Sequence, residues 1–255
     1  MPRLEDKVAI ITGGGTGIGE ATCERFAQEG ARVAIFDVDL ASAEKTAERL
    51  RGGGYEAFAI RVDVTKEDTI TEGVRQVIDR WGKIDILVNN AALFAPLQEQ
   101  KVTEIDVGLW DKVMSINIRG VFLMTKHVAP HMIAQKYGKI INISSGTVAR
   151  GIPNFAHYVT SKGAVTAFTR SVSRELGEHN ICVNNLAPGF TLSDSVINEN
   201  PGHLAHSQAP SLARRALKRD EYPEDLLGAL VFLASADSDF VTGQTIAVDG
   251  GATNN

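Results

Sequence analysis

The stretch KVAIITGGGTGIGEATCERFAQE, Lys7 to Glu29, decides the fold. Lys7 to Thr12 is a short apolar run that stops at glycines, as a buried strand does. From Ala21 to Glu29 the apolar residues follow a helical pattern. Between them lies TGGGTGIG, with Gly13, Gly17 and Gly19 spaced GxxxGxG and Thr16 and Ile18 in the gaps. A strand, a glycine turn and a helix N-terminus together make an anion site. Backbone N–H groups point at a phosphate, and the helix dipole favours its charge. Glycine lets the backbone approach a pyrophosphate closely.

Arg32 to Phe36 is a second apolar strand, and it ends at Asp37, 18 residues past Gly19. An acid there is placed to accept the ribose hydroxyls of an adenine dinucleotide and to repel a 2′-phosphate. Thr16, Val38 and Asp39 bring no cation to hold that phosphate, so NAD is expected rather than NADP. Further strands follow at Ala57–Val62, Ile84–Val88, Gly138–Ser144, Ile181–Leu186 and Thr245–Val248, with helical segments between them. Strands alternating with helices mean a parallel sheet covered on both faces. The expectation is one α/β domain over residues 1–255, a doubly wound Rossmann fold with a seven-stranded sheet. Ligands of such sheets sit beyond the carboxyl ends of the strands. Asp63, Val64, Asn90, Ala91, Pro188 and Thr191 all fall at such ends, beside the glycine turn, with Asp63 placed for the adenine and Asn90 for the ribose.

The bulk numbers agree. Hydrophobic content of 44% and charged content of 22% are ordinary for a globular protein. A net charge of -5 argues against a nucleic-acid partner. Arg214, Arg215, Lys218 and Arg219 are followed at once by Asp220 and Glu221, and read as a solvated helix face. Cys23 and Cys182 lie far apart, no leader is visible at Met1-Pro2-Arg3, and no apolar run approaches a membrane span. A cytoplasmic protein with reduced thiols and no membrane partner is expected. His127 and His131 have metal-ligand spacing without an acidic partner pattern, so no metal is expected. Val107 to about Ile133 reads as one long helix carrying Asn117, with Val113, Met114, Ile116, Val121, Phe122 and Met124 on its buried faces. Residues 192–222 read as a polar, irregular insert at a strand end, which suits a substrate lid.

SGTVARGIPNFAHYVTSK, Ser145 to Lys162, carries the candidate chemistry. Tyr158 and Lys162 are four apart and leave one helix face a turn apart. Moving a phenol from about 10 to about 7 costs roughly 4 kcal/mol. One ammonium at about 4 Å in a half-buried site supplies on the order of 4 kcal/mol. A lysine one turn away is thus a sufficient activator, and Ser145 is placed to hold a substrate oxygen.

Taken in order, TGGGTGIG, Asp37, Asp63-Val64, NNAA (Asn89 to Ala92), Asn117, Ser145, YVTSK, PGF (Pro188 to Phe190) and TGQTIAVDGG (Thr242 to Gly251) resemble the short-chain dehydrogenase/reductase family over nearly the whole chain. The resemblance implies Tyr158 as general acid/base and Lys162 as the residue that lowers its pKa and binds the nicotinamide ribose. It implies Ser145 as the substrate-oxygen partner and Asn117 as holder of a proton-relay water. Ile18, Asp37, Asp63, Val64, Asn90 and Thr191 resemble cofactor contacts. It also implies a homotetramer and hydride transfer between NAD and a secondary alcohol or ketone. Two departures stand out: Ala92 replaces a glycine, which is expected to tighten the loop, and Thr191 and Ser193 follow PGF's Pro-Gly in place of the usual residues. Leu93, Phe94, Val148, Asn154, Phe155 and Phe190, with Ser145 and Tyr158, are expected to form the substrate pocket; Leu93, Phe94, Phe155 and Phe190 suggest an alicyclic or aryl alcohol or its ketone. A 3-oxoacyl-(acyl-carrier-protein) reductase and a non-catalytic NAD-binding sensor or scaffold are the alternatives.

Overall fold

The computed structural model describes residues 2–199 and 201–253; Met1, Asn200, Asn254 and Asn255 lie outside the described residues. The first strand, β1 (Val8–Thr12), is buried throughout, and α1 (Gly17–Gln28) starts directly after the glycine turn. β2 (Arg32–Asp37) leads to α2 (Leu40–Gly52), whose N-terminus Asp39 caps by accepting from the Ala41 N–H at 3.1 Å. β3 (Ala57–Arg61) leads to α3 (Glu67–Trp81), which carries acids in its first turn and stops at Gly82, φ +75°. β4 (Ile86–Asn89), α4 (Val107–Met114) and α5 (Gly120–Gln135) follow. Next come β5 (Gly138–Ile143), the one-turn α6 (Thr147–Arg150), α7 (Ala156–Leu176) and β6 (Ile181–Pro188). α8 (Asp194–Glu199), α9 (Pro201–Arg214), α10 (Pro223–Ala234) and β7 (Thr245–Val248) complete the chain.

The seven strands form one sheet in the order β3-β2-β1-β4-β5-β6-β7, and every pairing is parallel. Successive side chains of a strand point to opposite faces. Ala9 and Ile11 accordingly join Phe26 of α1, Ala47 of α2 and Leu230 of α10 in one core. Val8 and Ile10 join Val74 of α3, Val128 of α5 and Leu176 of α7 in the other. The chain order reverses between β1 and β4, and the crevice at that reversal is where the site lies.

Two segments differ from the sequence expectation. The long helix is not continuous: Ser115 to Arg119 form a π-turn, closed by the Gly120 N–H donating to the Ser115 carbonyl. One extra residue in a turn rotates the remainder of the helix by about 100°. Asn117 is thereby fully buried, whereas Phe122, expected inside, is 45% exposed. Residues 192–222 are largely helical, not irregular: α8 and α9 cover much of the stretch, with Pro201 as the first residue of α9, a position where its missing N–H costs nothing. No helix among the described residues is long and apolar enough to cross a membrane.

Candidate active site

A cleft of about 960 Å³ opens beyond the carboxyl ends of the central strands. That is near the upper end of the roughly 300–1,000 Å³ common for small-molecule sites. One end is the glycine turn. Gly13 and Gly17 have φ of +63° and +58°, which side-chain-bearing residues seldom adopt. A Cβ at Gly19 would lie 1.9 Å from the Gly13 carbonyl oxygen, so the helix can start here only with glycine. Asn90 locks the turn from β4's side. Its Nδ2 donates to the Thr12 and Gly13 carbonyls, each at 3.0 Å. The Thr12 hydroxyl in turn accepts from the N–H groups of Asn90 and Ala91, each at 3.0 Å. Thr16, at the N-cap of α1, makes no side-chain bond to the helix's first N–H groups. Those donors and the dipole are left for an anion.

Asp37 stands at the same end. One carboxylate oxygen accepts the Gly15 N–H at 3.0 Å and the other the Asp39 N–H at 3.0 Å. Asp63 is braced by the Thr65 N–H and hydroxyl at 2.9 and 2.7 Å. Gly13, Thr16, Gly17, Ile18, Asp37, Val38, Asp63, Val64, Asn90, Ala91, Tyr158, Lys162, Pro188 and Thr191 all border the cleft; Gly19 lies beneath it. A bare-backbone cradle at an uncapped helix N-terminus, with an acid at one end, suits a dinucleotide.

At the other end, α7 presents Tyr158 and Lys162, only 7% and 3% exposed. Phe155, fully buried, packs its ring 5.8 Å from that of Tyr158, and Phe94 stacks at 4.8 Å. Burial of a ring such as Phe155 contributes about 1.5–3 kcal/mol and fixes the tyrosine's position. Ser145, beyond β5, shares the cleft with Tyr158 and accepts from the Thr147 N–H and hydroxyl at 3.2 and 3.0 Å. Lys162 Nζ donates to the Ile143 carbonyl at 2.7 Å and lies 5.8 Å from the Tyr158 ring centre. Burial pushes the phenol up to about 12, with Ser145 opposing, and pushes the Lys162 ammonium down to about 8. The chain alone thus holds Tyr158 protonated, opposite in direction to the shift a phenolate base requires.

Asn117 is committed within the chain. Its Oδ1 accepts the Leu93 N–H at 2.7 Å, and its Nδ2 donates to the Leu93 carbonyl at 3.2 Å and Ser161 Oγ at 3.1 Å. It shapes the Ala91–Leu97 loop from behind and does not border the cleft. Ala92 is exposed at the rim, so the chain shows no tightening of that loop around it. Thr191 spends its hydroxyl on Glu221, at 2.6 Å, and Ser193 packs against the glycine turn, 3.2 Å from where a Gly17 Cβ would be.

The pocket prediction needs correction. Leu93, Phe94, Ser145, Tyr158 and Phe190 border the cleft, but Val148, Asn154 and Phe155 do not. Val148 faces a separate depression. Asn154, in a left-handed conformation, is exposed, and Phe155 sits behind Tyr158. Thr147, Arg150, Ile152 and residues of α8 and α9 take their places. Those of α8 and α9 carried no motif, and only their position after β6 signalled them. The basic cluster is solvated at Arg214, Lys218 and Arg219, all exposed, but it is not one helix face, since α9 ends at Arg214 and Arg215 turns inward. Arg215 is buried against Glu221, Arg214 borders the cleft, and Arg219 pairs with Asp225 at 2.5 Å. Only contacts between distant parts of the chain separate these neighbours.

Comparison with known proteins agrees with this geometry. A family model described as enoyl-(acyl carrier protein) reductase matches residues 13–253. The chain is 40% identical to the 3-oxoacyl-(acyl-carrier-protein) reductase of Thermotoga maritima over 249 residues, 98% of each chain. It is 39% identical to the sorbitol dehydrogenase of Cereibacter sphaeroides over 259 residues, again 98% of each. A solved short-chain type dehydrogenase/reductase from Mycobacterium marinum superposes with a TM-score of 0.90 at 33% identity, covering 99% of this chain and 97% of that one. The chain belongs to the short-chain dehydrogenase/reductase family. It is an oxidoreductase of the kind that uses NAD or NADP.

Proposed function

We propose that the protein transfers hydride between NAD and a secondary alcohol or its ketone. The observation that carries the reading is the shared cleft: Ser145, Tyr158 and Lys162 on one side, the glycine turn and Asp37 on the other. Bound at the turn, the cofactor supplies or accepts the hydride. Ser145 holds the substrate oxygen, and Tyr158 moves the proton at that same oxygen. A phenol held near 12 is already the acid that ketone reduction requires. In the oxidative direction the phenolate must form, and Lys162, still largely protonated at neutral pH, is the nearby cation that favours it. Asn117 acts through Leu93, holding the loop that faces the reacting groups. The apolar wall of Leu93, Phe94 and Ile152 excludes water and orients the substrate. NAD is favoured because Asp37 stands at the adenine end and none of the described residues lining that end is a lysine or arginine. A cytoplasmic homotetramer is part of the proposal, carried over from the family resemblance.

A second reading has comparable support: reduction of a 3-oxoacyl group on a carrier protein, the activity named for the Thermotoga maritima relative. Rates of NADH and NADPH oxidation with aryl, alicyclic and β-keto thioester substrates separate the two. Tyr158→Phe is expected to lower kcat by about 10²–10⁴-fold with every substrate. Asp37→Ala is expected to lower the NADH-to-NADPH preference roughly tenfold or more by removing charged hydrogen bonds to the ribose. Full activity in Tyr158→Phe would overturn the mechanism, and a wild-type preference for NADPH would overturn the cofactor assignment.

A further inference from the structure

Two arginines at the catalytic end of the cleft are unaccounted for by an alcohol or ketone alone. Arg150, on α6, and Arg214, the last residue of α9, both border the cleft. Arg150 is partly buried, and its Nε donates to the Gly146 carbonyl at 3.3 Å. That bond folds the side chain back over its own helix, so the guanidinium stands beside the residue that follows Ser145. Neither arginine forms an ion pair with a carboxylate among the described residues.

The nearby acids take their hydrogen bonds from other groups, though their charge reaches Arg150. Asp249 accepts the Gly251 and Ala252 N–H groups at 3.0 and 3.1 Å and the Thr253 hydroxyl at 2.6 Å. Glu221 accepts from Thr191 and pairs with Arg215 at 3.3 Å. The other ionisable residues of the lining do not balance the pair. Asp37 and Asp63 stand at the adenine end, Glu99 and Lys112 are of opposite sign, and His206 adds no negative charge. Burial foremost, and then the like charge of Arg214, push the Arg150 pKa downward, while Asp249 and Glu221 push it up. Arg150 is half-buried and Arg214 exposed, so both guanidinium groups are open to an anion that enters the cleft.

We propose that the substrate is an oxyanion, a carboxylate or sulfonate, whose charged group is held by Arg150 and Arg214 a few bonds from the carbonyl at Ser145 and Tyr158. This deepens the hydride-transfer reading and rests on it for the position of the carbonyl. Leu93, Phe94 and Ile152 then contact the short carbon chain between the two polar ends. Guanidinium suits the task, since its forked donors match the two oxygens of a carboxylate or sulfonate.

The test has two arms. Kinetics compare 3-oxobutanoate and 4-oxopentanoate with their methyl esters, using NADH and NADPH. The acid is expected to exceed its ester in kcat/KM by roughly tenfold or more. That ratio is expected to fall by a similar factor in Arg150→Gln and Arg214→Gln and to recover in part with lysine at either position. Lys45→Gln, an equal charge change at an exposed position on α2, is expected to leave the ratio as it is. Calorimetry then titrates the cofactor-bound protein with propane-1-sulfonate and its neutral sulfonamide, which needs no turnover. Preferential sulfonate binding that both glutamine variants lose supports the site. Absence of a sulfonate preference, or an acid-to-ester ratio near one, overturns it even if the neutral ketones are reduced well. Sulfonate binding without turnover of any substrate leaves the arginine site standing and overturns the hydride-transfer reading instead.

Discussion

Replacing Arg215 by methionine tests the tie beneath the Pro188–Ser193 loop. In the wild type the Arg215 and Glu221 side chains are 3% and 6% exposed and 3.3 Å apart. Arg215 also donates to the Phe190 carbonyl at 2.6 Å and the Arg219 carbonyl at 3.0 Å. Glu221 binds the Thr191 hydroxyl. Removing one partner of a buried pair costs about 3–5 kcal/mol, because the remaining charge is left without compensation. Unfolding entropy is about 2.1 cal/mol/K per residue, so a chain of this size melts roughly 6–9 °C lower. The sign with pH is set by Glu221. Burial already raises its pKa above 4.5 while Arg215 opposes, so losing Arg215 raises it further. An acid whose folded pKa is raised loses stability as pH climbs from its unfolded value through its folded one. The deficit of Arg215→Met relative to wild type is therefore larger at about pH 8 than at about pH 5, because acidification favours the protonated form of Glu221. Calorimetric melts at both values measure it. A variant melting within about 2 °C of wild type at pH 8, or an equal deficit at both values, would refute this account of the tie.

Other changes have equally definite outcomes. Gly19→Ala drives a methyl into the Gly13 carbonyl, so the turn must open, and NADH affinity measured by fluorescence is expected to fall tenfold or more. Asn117→Ala strips partners from both the N–H and the carbonyl of Leu93 and is expected to cost about 2–4 kcal/mol in urea unfolding. Unchanged unfolding would mean that water replaces the amide without penalty. Restoring only an acceptor, with Asn117→Asp, is expected to recover less than half of that loss, since the Leu93 carbonyl still lacks its donor.

The local patterns of the chain determined most of the architecture. β1 to β7 lie within two residues of their expected bounds, because each is a short apolar run and the intervening helices carry their own starts and stops. The glycine turn and the Tyr158-Lys162 pair were legible for the same reason. Backbone clearance and one helical turn are local constraints, written in residues a few positions apart. The features that only the tertiary structure decided depend on contacts between remote segments. The π-turn that buries Asn117 and exposes Phe122 has no distinct composition. The neighbours Arg214 and Arg215 read alike, yet one borders the cleft and the other is buried against Glu221. The charge state of Tyr158 is likewise tertiary. A lysine four residues away sufficed as an activator along the helix, but burial by Phe94 and Phe155 reverses the direction of the shift. Desolvation depends on everything that packs around a group, and spacing along the chain carries only part of that information.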